Sequence, residues 1–145
     1  MNTYYCSTLL AVCVLLSACT PSVSAVEAAK PSPTLPAAPL AGEWQIDEAS
    51  GTTIHNVKAY VRFNQQEQRF QAYAGCNRMF GTYQQHNHEL TMGAVASTLM
   101  MCEAPYMAND RVIGQALENT VQYRIQAQQL ELLDKQGKVV LKAHR

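Results

Sequence analysis

The stretch 58-KAYVRFNQQEQRFQAYAG-75 decides the fold class. Ala59, Val61 and Phe63 alternate with Tyr60 and Arg62, the period of a strand with one buried face. Asn64 to Gln68 read as a polar turn, and the chain returns with Phe70, Ala72 and Ala74 on one face. Two strands of matching polarity joined by a short turn form a hairpin, and the pattern extends both ways. Upstream, Glu43-Trp44-Gln45-Ile46 reads as a short first strand. Downstream, Gly75-Cys76-Asn77 interrupts the alternation and Gly81 to Gln84 resumes it. Gln85 to Glu89 then turn the chain, and Leu90 and Met92 alternate beyond.

One segment carries helical spacing. Pro105 suits a first helical position, where its missing N–H costs nothing. Tyr106, Asp110, Ile113 and Leu117 follow on one stripe. Asp110 is the anomaly there, because a buried carboxylate needs donors. Either it reaches donors on a neighbouring loop or it lies at the wet edge of the stripe. The chain ends in a hairpin in which Leu130 and Leu132 share a face and Val139 pairs with Leu141. Asp134 to Gly137 supply its turn. About seven or eight short strands and one helix make an α+β domain, a small antiparallel sheet curled around the helix.

The chain has 145 residues, room for one domain. Its 11 Lys and Arg balance 11 Asp and Glu, so it lacks the basic footprint of a nucleic-acid partner. No glycine-rich phosphate cradle precedes the helix, and no cofactor is expected. The N-terminus reads as a processed segment. The apolar block Leu9 to Leu16 is too short for a membrane span and suits a signal peptide over residues 1–18. It runs into Leu16-Ser17-Ala18-Cys19, which resembles a bacterial lipobox with Cys19 as the lipid-bearing residue. Met1 to Leu9 lack the usual Lys or Arg, and cleavage after Val23-Ser24-Ala25 is the competing reading. Thr20 stands where an inner-membrane retention signal has Asp, and the lipobox resemblance then implies an anchor in the outer membrane, facing the periplasm. Residues 19–40 hold five of the six prolines and read as an extended tether, with the folded domain at 41–145.

Cys76 admits four readings: nucleophile, metal ligand, half of a disulfide, or part of a turn. The nucleophile reading lacks a held base, since His86 and His88 lie in a polar turn. The metal reading draws on Met79, Met92, Met100, Met101 and Met107, with His86 and His88, as a soft Cu(I) set. Methionine is also core filler, and these show no regular ligand spacing. With Cys6, Cys13 and Cys19 assigned to the leader and anchor, Cys76 and Cys102 are left in an oxidising compartment, where a bridge is favoured.

The ordered series Gly75-Cys76-Asn77, Gly81-x-Tyr83, Thr98-x-Met100-x-Cys102, acidic Asp110 and the Leu-rich last hairpin resembles the META domain, the family of heat-shock-inducible HslJ-like lipoproteins. Trp44 matches the aromatic of that family's first strand, and Asp110 stands where the family usually has Glu. The resemblance covers Leu40 to Leu141. It implies a compact α+β domain in an envelope lipoprotein linked to stress or antibiotic tolerance, novobiocin in particular, without an established catalytic mechanism. The expected protein is therefore a non-enzymatic outer-membrane lipoprotein. Its partners would be the membrane, through the N-terminal lipid, and an envelope protein or small ligand. The alternative is a periplasmic copper or small-ligand carrier using His86, His88, Met100 and Met101.

Overall fold

The computed structural model describes residues 39–55 and 58–145. The expected signal peptide, Cys19 and the tether through residue 38 lie outside the described residues. Ten strands and one helix follow in order. They are β1 (Gly42–Ala49), β2 (Thr52–Thr53), β3 (Tyr60–Asn64), β4 (Arg69–Tyr73), β5 (Arg78–His86), β6 (Glu89–Met92), β7 (Ala96–Ser97), α1 (Ala104–Glu118), β8 (Gln122–Gln126), β9 (Gln129–Leu133) and β10 (Val139–His144).

All pairings are antiparallel, and the path β10-β9-β8-β6-β5-β4-β3-β1 returns on itself because β1 also pairs β10. Eight strands therefore close a barrel; β2 and β7 are short additions to β1 and β5. The weakest seam is β6–β8, a single pair at Glu89 and Gln122, supplemented by Leu90 N–H to Val121 O and Tyr123 N–H to His88 O.

Alternation fills the barrel. Trp44, Val61, Phe63, Phe70, Ala72, Tyr83, Leu90, Leu130, Leu132 and Leu141 form one apolar core, as expected for an eight-stranded barrel just wide enough for side chains. The sequence reading of antiparallel strands with one helix agrees at this level. The finer geometry differs: the sheet closes on itself, and the helix lies across one rim. Its first turn shares a cleft with Thr53 and His55, and its last shares one with Ser50 and Asp134. The stripe Ile113, Ala116 and Leu117 is buried in the core. Among the described residues, no helix is long and apolar enough to cross a membrane.

Two local readings shift. Val139 is not the inward partner of Leu141, because the β9–β10 register slips between them. Val140, Leu141 and Ala143 are the buried residues. The slip is a bulge, which locally rotates side chains off strict alternation. Leu40 belongs to the barrel rather than to the tether, since it is buried and its carbonyl accepts the Trp44 indole N–H at 2.9 Å.

Gly81 marks a close approach between β5 and its neighbours. A Cβ there would stand 2.6 Å from the Ala94 carbonyl oxygen and 2.6 Å from the Phe70 ring. Backbone cannot yield cheaply, so Gly81→Ala is expected to destabilise by about 1–3 kcal/mol, the cost of overpacking. Urea unfolding measures this, and an unchanged midpoint would show that the wall relaxes freely.

Candidate functional site

The candidate site is the corner between β4 and β5 at the helix rim. Gly75 takes a φ of 113°, outside the range that L side chains favour. It delivers Cys76 and Asn77 side by side against the loop that precedes α1. Cys76 and Cys102 are joined in a disulfide, with Cα atoms 5.9 Å apart and a sequence separation of 26. Closing a loop of that length contributes roughly 3–4 kcal/mol by chain entropy. The bridge removes the thiolate a nucleophile or metal ligand needs, so of the four readings of Cys76 the disulfide is the one realised.

Asn77 is the hub. It is buried, and its side-chain Oδ1 accepts from Met100 N–H at 2.7 Å and from Thr98 Oγ1–H at 2.9 Å. Its Nδ2 donates to Asp110 Oδ2 at 2.8 Å, and its backbone N–H donates to the same oxygen at 2.8 Å. A longer contact of 3.5 Å runs from Nδ2 to the Met100 carbonyl. Thr98 relays the order outward, because its Oγ1 also accepts from Arg78 N–H and its own N–H donates to Arg78 O. One amide thus ties β5, the pre-helix loop and α1 together. Asp110 answers the question left open by the sequence: its Oδ2 takes donors from the neighbouring loop, while its buried Oδ1 has no hydrogen-bond partner among the described residues.

The network holds the backbone of Met100 while leaving side chains out. Leu99 is 96% exposed, Met101 92% and Met100 60%. Three consecutive apolar side chains stand in solvent on a backbone pinned at Thr98, Met100 and Cys102. Loops with few internal bonds are ordinarily mobile; this one is hydrogen-bonded at its base through Thr98 and Met100.

The proposed copper ligands do not converge. Met100 hangs on Asn77 at the start of β5, whereas His86 ends that strand and His88 lies in the turn after it. Strand β5 has nine residues, so the two pairs stand on the order of 25 Å apart. Met79 is buried in the core beside Gly114. Among the described residues, no three His, Cys, Asp or Glu side chains gather as a metal would require.

Tyr83 sits inside the barrel, its ring edge-on to Phe63 at 5.2 Å between centroids. Its hydroxyl is buried and has no hydrogen-bond partner among the described residues. Burial, reinforced by nearby Tyr123, raises its pKa. Tyr123 is raised too, by burial, with a hydrogen bond from Gln85 acting the other way. Tyr83 therefore serves as core volume rather than as an acid or base at neutral pH.

Sequence reasoning missed the outer face of β3–β5, where Arg69, Arg78 and Phe80 stand together. Its signal was available in the alternation Arg78, Phe80, Thr82, once Met79 and Tyr83 are known to point inward.

The META domain family model matches residues 38–145. Three solved structures share the fold. A protein solved by NMR has 24% identity and a TM-score of 0.54 over 71% of this chain and 87% of its own. A protein from Burkholderia xenovorans, also solved by NMR, has 20% identity and a TM-score of 0.54 over 72% and 81%. The crystal structure of a DUF4847 family protein from Bacteroides vulgatus has 14% identity and a TM-score of 0.50 over 72% and 92%. No curated protein matches the chain.

Replacing Asn77 by Ala takes the side-chain partner from Met100 N–H and the Thr98 hydroxyl on the loop and from Asp110 on the helix, and is expected to lower stability by about 3 kcal/mol. Hydrogen exchange should accelerate at the Met100 amide first, and slow exchange persisting there would refute the hub. Tyr83→Phe removes an orphan hydroxyl and should stabilise by about 1 kcal/mol. A tyrosine pKa raised by folding contributes stability that is present below the unfolded pKa of 10.0 and lost as pH rises through the folded one. The wild type should therefore lose stability above pH 10 more steeply than the Phe variant. Parallel pH profiles would discount the hydroxyl.

Proposed function

The chain belongs to the META domain family, and from that premise we propose that it is a non-enzymatic outer-membrane lipoprotein whose barrel is a docking module in the periplasm. The proposal assigns Cys19 as the lipid-bearing residue, on the strength of Leu16-Ser17-Ala18-Cys19, and residues 19–40 as the connecting tether. The family resemblance supports a role in envelope stress or antibiotic tolerance.

One observation carries the docking role, the presentation of Leu99, Met100 and Met101. An exposed apolar tip is costly to keep in a soluble domain unless something uses it. Here the Asn77 hydrogen bonds and the Cys76–Cys102 bridge hold its base fixed. A partner that covers the tip meets a segment already ordered, so less conformational entropy is lost on binding. Methionine suits such a surface because its unbranched thioether adapts to irregular pockets. Residue 39 leads into β1, whose first residue lies on the rim opposite the start of β5. The distance between the His86–His88 turn and Met100–Met101 argues against the copper carrier built from all four.

The test is crosslinking in cells from a photoreactive residue placed at Leu99 or Met101, with Glu131 on the opposite face as control. A discrete protein adduct from the tip and none from position 131 is expected. Equal yields from all three, or none from the tip, would remove the docking role. Independently, the intact mass of membrane-extracted protein should begin at Cys19 with a diacylglycerol, and a lipid-free chain beginning at Val26 would overturn the anchor alone.

A further inference from the structure

The outer faces of the barrel differ in how their charges are matched. On β8, β9, β10 and β1 each Lys or Arg has an anion, Arg124 with Glu131 and Lys142 with Glu48, and His144 is hydrogen-bonded to Asp47. On β3, β4 and β5, Arg62 is held by Glu43. Arg69 and Arg78, on the same face, have no carboxylate within ion-pair distance among the described residues. Cross-strand register sets their surroundings: Tyr73 faces Arg78, Gln71 faces Phe80, and Thr82 faces Arg69. Phe80, 39% exposed, occupies the centre. A cleft of about 190 Å³ runs here, lined by Tyr60, Arg69, Gln71, Arg78, Phe80 and Thr98.

We propose that this cleft binds a compact aromatic anion, a single ring bearing a carboxylate or phosphate. Three features select that chemistry. Two guanidinium groups with no anionic partner, on one lining, favour an anion and can bind it through paired N–H donors. The exposed Phe80 ring supplies the apolar and stacking surface for a ring, and half-buried Tyr60, packed under Arg62 and beside Tyr73, walls one side of it. The volume sets the size, since a cavity on the order of 150 Å³ already holds benzene. The cleft is too small for a folded segment or a bulky amphiphile, and a larger molecule could place only a terminal group in it. Gln71 and Thr98 add neutral polar groups at the wall. Thr98 also belongs to the Asn77 network, so the cleft shares one wall with the base of the exposed tip.

The test is an amide NMR titration of the folded domain with phenyl phosphate, alongside phenol and inorganic phosphate. Saturable shifts confined to Gln71, Arg78, Phe80 and Thr98 are expected. Phenol and phosphate should each bind about tenfold more weakly or worse, because each supplies only half of the recognition. The Arg69→Gln/Arg78→Gln double variant and, separately, Phe80→Ala should each weaken phenyl phosphate by about tenfold or more. Added salt should weaken it further, as for any partly exposed ion pair. All these positions are at least partly solvent-exposed, and unchanged urea midpoints confirm that the variants fold. The Leu99→Ser/Met101→Ser variant, which removes the other exposed apolar group, should bind as the wild type does. No saturable shift at millimolar phenyl phosphate, shifts spread over the tip, or affinity indifferent to the arginine substitutions would each overturn the proposal.

Discussion

Strand β1 hydrogen-bonds to β10 from Gln45 opposite His144 to Ala49 opposite Leu141, so the beginning and the end of the domain share one ladder. Were that ladder absent, both strands would be edges, with unpaired backbone groups and a wet Trp44 and Leu141 behind them. Closure removes the edges and makes a single core possible. The Lys142–Glu48 ion pair and the His144–Asp47 hydrogen bond cross the same seam but are exposed, and they contribute little beside the backbone and the apolar packing. Arg145 finishes the join by stacking on the Trp44 ring at 3.7 Å and donating to the Pro39 carbonyl. Pairing residues so distant in sequence costs loop entropy before it is rewarded, which favours slow folding for this topology.

Closure leaves one rim to be covered, and the helix covers it. Its buried stripe supplies the apolar contact, but its orientation is fixed by polar groups: Asp110 takes two N–H donors from Asn77. The remaining capacity of that asparagine is spent on Thr98 and Met100. A single amide therefore sets helix, strand and loop relative to one another, and the disulfide beside it prevents the loop from leaving. Apolar residues on that loop are free to face outward because nothing about its position depends on burying them.

Two surfaces follow from this arrangement, and they differ in chemistry. The tip at Leu99–Met101 is apolar and projecting, suited to insertion into a partner's pocket. The β3–β5 face is concave, cationic and aromatic, suited to a small anion. Arg78 and Thr98 join them, since each touches the network at one and the wall of the other.

Local pattern in the sequence determined which residues point inward on most strands: Ala59, Val61, Phe63, Phe70, Ala72, Leu130 and Leu132 are all buried, because a strand's period of two is a local property. The helix stripe and the turn ending at Gly137 were legible for the same reason. The family resemblance rested on short ordered motifs that survive without knowledge of the fold. Tertiary structure alone decided the β1–β10 closure, since the pairing of distant strands leaves no local signal. It decided the bulge that turns Val140 inward, because register depends on the partner strand. It decided that Asn77, and not Cys76, is the centre of the corner: an asparagine's value lies in which four groups surround it, and those come from residues 98, 100 and 110. It also separated His86 from Met100, which ligand chemistry had placed in one candidate site and an extended strand carries to opposite rims.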